Sequence, residues 1–185
     1  MGRDFGAIIA VLGDVVNRDA LSSLTRNSGE ALSLRYEDLA SGKAYLADGG
    51  RFDYENQAQG ARLRADVAVL SGSSSVAELE MNLELPRIGP GAALGVRIAN
   101  VPARDIADQS PVLSWLGALD APISGALRAS FDGAGTLGPM FGTLEIGKGA
   151  LRPTIETRPV PFDSARTYFN YDPSQNALHF DEVVV

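Results

Sequence analysis

Between Ala61 and Leu85 the chain switches between apolar and polar side chains at almost every residue, a pattern few folds accommodate. Ala61, Leu63, Ala65, Val67 and Val69 share one parity, against Arg62, Arg64 and Asp66. Beyond Ser71–Ser75 the pattern resumes, with Ala77, Leu79, Met81, Leu83 and Leu85 against Glu78, Glu80, Asn82 and Glu84. Side chains alternate faces along a strand, so the period of two predicts two β-strands, each with an apolar and a charged face. A helix would scatter the glutamates around its circumference. The intervening turn is too short for a crossover, so the strands should pair antiparallel as a hairpin.

The same alternation recurs along the chain. Leu32, Leu34 and Tyr36 oppose Ser33, Arg35 and Glu37. Turns are expected at Ser41-Gly42, at Gly49-Gly50 and at Gln57–Gly60, separating short strands at Lys43–Ala47 and around Phe52 and Tyr54. After Pro86–Gly91, Leu94, Val96 and Ile98 point inward on a further strand. Residues 102–107 read as one or two helical turns. Ser110-Pro111 then predicts an N-cap and first helical position, ahead of a stripe formed by Val112, Leu113, Trp115, Leu116 and Leu119. That helix should cover one end of the sheet's apolar face, with Trp115 in the core. Strands return with Ile123, Gly125, Leu127, Ala129 and Phe131 on one face, then Phe141–Ile146. A Gly- and Pro-rich loop, Gly147–Pro161, precedes a last hairpin of Arg166–Tyr171 and Ala177–Val185. Twenty Gly and ten Pro in 185 residues suit such turns.

The apolar run Phe5–Val16 is interrupted by Gly13 and Asp14, and Ile8–Leu12 is far short of the roughly 20 residues of a membrane helix. Arg3 alone does not make a signal-peptide n-region. A short helical piece at about 5–24 or an edge segment both fit. The fold expected is mainly β: a curved, twisted antiparallel meander, an open β-groove, with one or two short helices near 102–119. The chain reads as one segment, 1–185, and its abrupt ends, Met1-Gly2-Arg3 and Val183-Val184-Val185, suggest truncation at both.

Chemistry-bearing residues are sparse. Without cysteine there are no disulfides, zinc–thiolate sites or thiol catalysis. The single histidine, His179, falls on the polar parity of a strand with no second imidazole beside it and is read as solvent-exposed. Glu37-Asp38 and Asp181-Glu182 are adjacent, so on a strand they face opposite ways. Glu78, Glu80 and Glu84 form a solvated row. Gly133–Gly138 and Gly147–Gly149 lack the strand-to-helix setting and Lys-Ser/Thr ending of a phosphate loop. A net charge of −7 argues against an electrostatic nucleic-acid binder. The expectation is a non-enzymatic protein with no cofactor and no metal.

Function then turns on the apolar face. Leaving a Leu-sized side chain in water forfeits roughly 1.5–3 kcal/mol, against a total stability of about 5–15 kcal/mol. The face must meet a second layer, curl upon itself, or hold something apolar. The candidate lining residues, by shared parity, are Leu63, Val67, Val69, Leu79, Met81, Leu83, Leu94, Val96, Ile98, Leu127 and Phe131. A closed sandwich-like structural or interaction domain in envelope assembly is the competing reading.

The stretch Leu116–Leu151 contains Leu119-Asp120-Ala121-Pro122-Ile123-Ser124-Gly125 and later Gly147, Gly149 and Leu151. Pro161-Phe162-Asp163-Ser164-Ala165-Arg166 and Tyr171-Asp172-Pro173 with Leu178 follow, and Leu34–Asp38, Ser41-Gly42 and Ala47–Gly50 precede it. From about Leu32 onward this resembles the C-terminal region of the AsmA-like proteins, in particular their YhdP-like branch. The resemblance implies a repeating-β-groove, bridge-type lipid-transfer protein of the Gram-negative envelope. It further implies a periplasmic location, anchorage of the full-length parent in the inner membrane, phospholipid acyl chains as cargo, and a part in outer-membrane integrity. The partners implied are those lipids and neighbouring segments of a longer parent, with no nucleic acid. Membrane contact would come only through an anchor this chain lacks, since it shows no transmembrane helix and is much shorter than full-length members.

Overall fold

The structure, a computed structural model, describes residues 24–38, 43–70, 76–88, 91–107, 111–154, 156–175 and 177–184. The first five strands are β1 (Arg26–Asp38), β2 (Lys43–Gln57), β3 (Gly60–Leu70), β4 (Val76–Pro86) and β5 (Ala92–Pro102). A short helix α1 (Ala103–Ala107) and a 3-10 helix (Pro111–Ala118) follow. The rest is strand: β6 (Leu119–Asp120), β7 (Pro122–Phe131), β8 (Leu137–Ile146), β9 (Gly149–Leu151), β10 (Val160–Phe162), β11 (Ala165–Asp172) and β12 (Ala177–Val184).

Nine strands make one sheet in the order β1-β2-β3-β4-β5-β7-β8-β11-β12, with every neighbouring pair antiparallel. The sheet is not closed into a barrel, and the protein is mainly β as its alternation predicts. The hairpin of β3 and β4 pairs without a slip from Gly60↔Pro86 to Leu70↔Val76. Three expectations lie outside the described residues: the helical piece at 5–24 (apart from Leu24), the turns at Ser41-Gly42 and Ser71–Ser75, and the Ser110 cap.

Local features depart from the sequence reading in four places. Gly49-Gly50 is not a turn. β2 runs straight through it with a bulge, the register with β3 moving between Asp48 and Arg51. Gly49 takes φ 65°, and a Cβ on Gly50 would lie 2.8 Å from Val67 Cγ1, so the glycine pair admits an extra residue without breaking the ladder. β1 begins at Arg26 rather than near Ala31, its own bulge at Ala31 (φ 54°) lying opposite that of β2. The third departure is the segment after Pro111, which winds as a 3-10 helix instead of the expected α-helix. Leu116 is buried in this turn and Leu119, the first residue of β6, is buried just beyond it. Finally, Gly147–Pro161 is not all loop. β9 pairs with β6 and β10 with β9 in a second, three-stranded sheet. A Cβ on Gly149 would lie 2.3 Å from the Asp120 carbonyl oxygen, so glycine lets these backbones meet.

Two apolar clusters hold the fold together. Tyr54, Ala61, Leu83, Leu85, Leu94, Ala129 and Phe131 are among those in the first, with Leu24, Phe52 and Met140 packed against it. The second unites α1 and the 3-10 helix with the sheet, joining Ala103, Ala107, Leu116, Leu119 and Ile123 to Ile98, Leu144, Ile146 and Phe162. Ile98, Ile123, Leu144 and Ile146 all lie on the apolar face, so the helical insertion covers one end of it, as the sequence predicts. Leu83 is 2 % exposed and Ile123 0 %. Replacing either with Ala should cost about 2–5 kcal/mol. Because the clusters share no member, the double variant should be the sum of the singles to within about 0.5 kcal/mol, read from urea midpoints at constant m.

Three aspartates tie down backbone irregularities. Asp132 Oδ1 accepts from the N–H groups of Thr136 (2.8 Å) and Ala134 (2.9 Å), closing the β7–β8 turn. Asp172 accepts from the Ser174 hydroxyl and N–H, and Asp48 from the Ser33 hydroxyl at 2.6 Å. Those bonds favour the carboxylate, chiefly from the Thr136 N–H at Asp132, the Ser174 hydroxyl at Asp172 and the Ser33 hydroxyl at Asp48, so all three acids sit below their ordinary value of 3.8. A depressed folded-state value means stability that is present above the ordinary carboxylate range and lost as pH falls through the lowered values. Urea midpoints should drop on acidification below about pH 4. In the Asp132→Asn, Asp172→Asn variant that drop should shrink.

Candidate functional site

Antiparallel pairing sets partners on the same face, so the registers place all the sequence-predicted lining residues on one side of the sheet. Leu63, Leu83 and Leu94 lie in one row, continued by Ala129 of β7 and Met140 of β8. Met81, Val96 and Leu127 form the next. Val67, Leu79 and Ile98 form a third, with Val69 beyond it opposite Ala77. Phe131 ends its strand on the same face, opposite Ala92.

Their environments differ. Leu83, Leu94 and Phe131 are buried in the first cluster, with Leu63, Met81 and Val96 packed against it. Ile98 packs against the second. Val67, Val69, Leu79 and Leu127 belong to neither: three are half-buried, and Leu79 is 37 % exposed. The first cluster thus covers one end of the face and the second covers the other along β5, β7 and β8, leaving Val67, Val69 and Leu79 on β3 and β4, and Leu127, outside both.

The face is also wider than the sequence reading made it. Its first row begins with Tyr54, and its second gains Phe52, Gly142, Phe169 and Phe180 by pairing. The Phe169 ring lies over Gly142, where a Cβ would be 2.4 Å from Cζ, and it meets Phe180 at 6.5 Å between centroids, tilted by 56°. Phe180 and Val183, at the β12 edge, are exposed. The signal for these residues was the parity of the last hairpin. Assigning them to this face needed the β8–β11 register, which no local pattern supplies.

Two cross-strand ion pairs lie on the opposite face. Arg62 bridges Glu84 at 2.9 Å and Arg166 bridges Glu145 at 3.2 Å, across β3–β4 and β8–β11. The Arg166 guanidinium is raised further by Glu145, through hydrogen bonding and then charge. Within the apolar cluster, the Tyr54 hydroxyl is buried without a hydrogen-bond partner among the described residues. Among those residues, no group of three His, Asp or Glu side chains converges as a metal site, and His179 is exposed.

No family model, curated protein or solved structure matches the chain. Among the described residues, no helix is long and apolar enough to cross a membrane.

The absence of native cysteine allows a direct map of the residues outside both clusters. In Leu79→Cys and Val67→Cys variants the thiol should react with a maleimide in the folded protein. In Leu83→Cys it should react only through unfolding, slower by orders of magnitude. Equal protection at all three positions would mean that Val67 and Leu79 are covered.

Proposed function

We propose that this chain is a non-enzymatic segment of a periplasmic lipid-conducting groove, its apolar face carrying phospholipid acyl chains. Traffic of phospholipid between the two membranes, and so outer-membrane integrity, is the role that follows. The YhdP-like, AsmA-like resemblance supplies the family setting: a longer parent anchored in the inner membrane, with neighbouring segments extending the groove.

One observation carries the reading. Val67, Val69 and Leu79 form an apolar patch on β3 and β4 outside both core clusters, with Leu127 apart from it beyond β5, on a sheet that does not close into a barrel. A fully exposed large apolar side chain forfeits roughly 1.5–3 kcal/mol, and these side chains, half-buried or 37 % exposed at Leu79, forfeit part of that each. An acyl chain lying along the patch would recover much of that. It needs no directed polar group, which fits a face that is apolar along β3, β4, β5 and β7.

The competing reading is a structural or interaction domain of envelope assembly, and the two buried clusters around Leu83 and Ile123 favour it. Lipid extraction and native mass spectrometry of the purified protein separate the two. A groove predicts co-purifying phospholipid, lost in a Val67→Asp, Leu79→Asp variant that keeps its circular dichroism. Lipid-free protein with unchanged cooperative unfolding in detergent supports the structural domain and rejects the groove.

A further inference from the structure

The reverse face of the sheet has its own concavity. A hollow of about 690 Å³ spans β3, β4, β5 and β7, and a second of about 420 Å³ spans β5, β7, β8 and β11. Each run of strand residues lining the first, such as Arg64–Ala68, Glu78–Asn82 and Arg128–Ala126, begins and ends on the polar parity, which assigns it to the charged side. The two hollows share Arg97 and Ala126 and form one trough. Crossing from β3 to β11 takes five inter-strand steps, about 24 Å at ~4.8 Å each.

The side chains along it are short of partners. No described residue gives the guanidinium of Arg64, Arg97 or Arg128 an ion pair or side-chain hydrogen bond, unlike Arg62 and Arg166 at the margins. Asn82 Oδ1 is buried with no hydrogen-bond partner among the described residues. Asp66 and Glu80 face each other across the β3–β4 ladder, flanked in the same row by Arg51 on β2 and Arg97 on β5. At the β8–β11 end stand two exposed aromatics, Phe141 (59 %) and Tyr168 (42 %), diagonal neighbours by register.

We propose that this trough binds a linear polysaccharide. The guanidiniums offer donors, while the Asn82 amide oxygen and the carboxylates of the row offer acceptors. Hydroxyl groups provide both at close spacing, and a sugar chain presents them along its length. The apolar C–H faces of its rings stack on aromatic side chains such as Phe141 and Tyr168. A polyphosphate fits poorly, because Asp66, Glu78 and Glu80 line the same hollow and the chain carries −7 overall. An extended peptide would pair with a free sheet edge, not with a face whose backbone groups are already used. This surface is separate from the lipid-facing side, and the inference does not depend on that reading.

Binding of cellohexaose, chitohexaose and hexagalacturonate to the full chain by isothermal titration tests it. At least one should bind saturably. Arg97→Ala with Arg128→Ala should weaken that binding about tenfold or more, as loss of charged hydrogen bonds does, and Tyr168→Ala should weaken it as well. Arg152→Ala, an exposed arginine outside both hollows, should leave it unchanged. The affected side chains are exposed, so the variants should fold, as circular dichroism would verify. The proposal is overturned if none of the three sugars binds, if a dT12 oligonucleotide or an acidic peptide binds in their place, or if Arg152→Ala weakens binding as much as the paired substitution.

Discussion

The unslipped ladder between β3 and β4 is the constraint on which the rest of the molecule depends. Each of its pairs, from Gly60↔Pro86 to Leu70↔Val76, puts apolar against apolar and polar against polar over most of its length. A slip of β4 by one residue would turn Leu79, Met81 and Leu83 to the charged side and bring Glu78 and Glu80 to the apolar one. The penalty would be many buried contacts at once, so this register is rigidly specified. Neighbouring strands inherit it: β2 and β5 pair on either flank, and the faces they present follow from that choice.

Irregularities are placed where they keep the faces in phase. The bulges at Gly49-Gly50 in β2 and at Asn100 in β5 each move the register by a residue near the same end of the sheet. Asn100, at φ 57°, donates its N–H to the Ser124 hydroxyl at 3.1 Å, so its left-handed backbone is held by a side chain on the next strand. Beyond that bulge the chain leaves the sheet as α1 and the 3-10 helix, which fold back over Ile98 and Ile123. The small β6-β9-β10 sheet fastens this insertion, helped by the Arg152 N–H bond to the Ala118 carbonyl at 2.7 Å. One sheet therefore carries two unlike surfaces, an apolar one covered in part by two clusters and a charged one that is hollowed.

Legibility varied with the range of the interactions. The hairpin Ala61–Leu85 and the face of every proposed lining residue could be read from period-two alternation, because that pattern reflects only backbone geometry. Gly49-Gly50 misled, since a glycine pair marks a turn or a bulge equally well, and pairing with both β1 and β3 selects the bulge. The segment around Trp115 showed spacings of three as well as four, and the confined path between α1 and β6 takes the tighter helix. β9 and β10 were hidden because three-residue strands carry too few side chains to show a period.

The amino-acid sequence by itself determined the mainly β class, the antiparallel pairing of adjacent strands, and which side chains share a face. These follow from short-range alternation and turn chemistry. Tertiary structure alone decided how much of the apolar face is covered, leaving Leu83 sealed and Leu79 open on the same strand, and it alone brought Arg64, Arg97 and Arg128 around one trough. Both outcomes depend on registers accumulated across strands distant in sequence and on where the helical insertion lands, and no window of neighbouring residues encodes either.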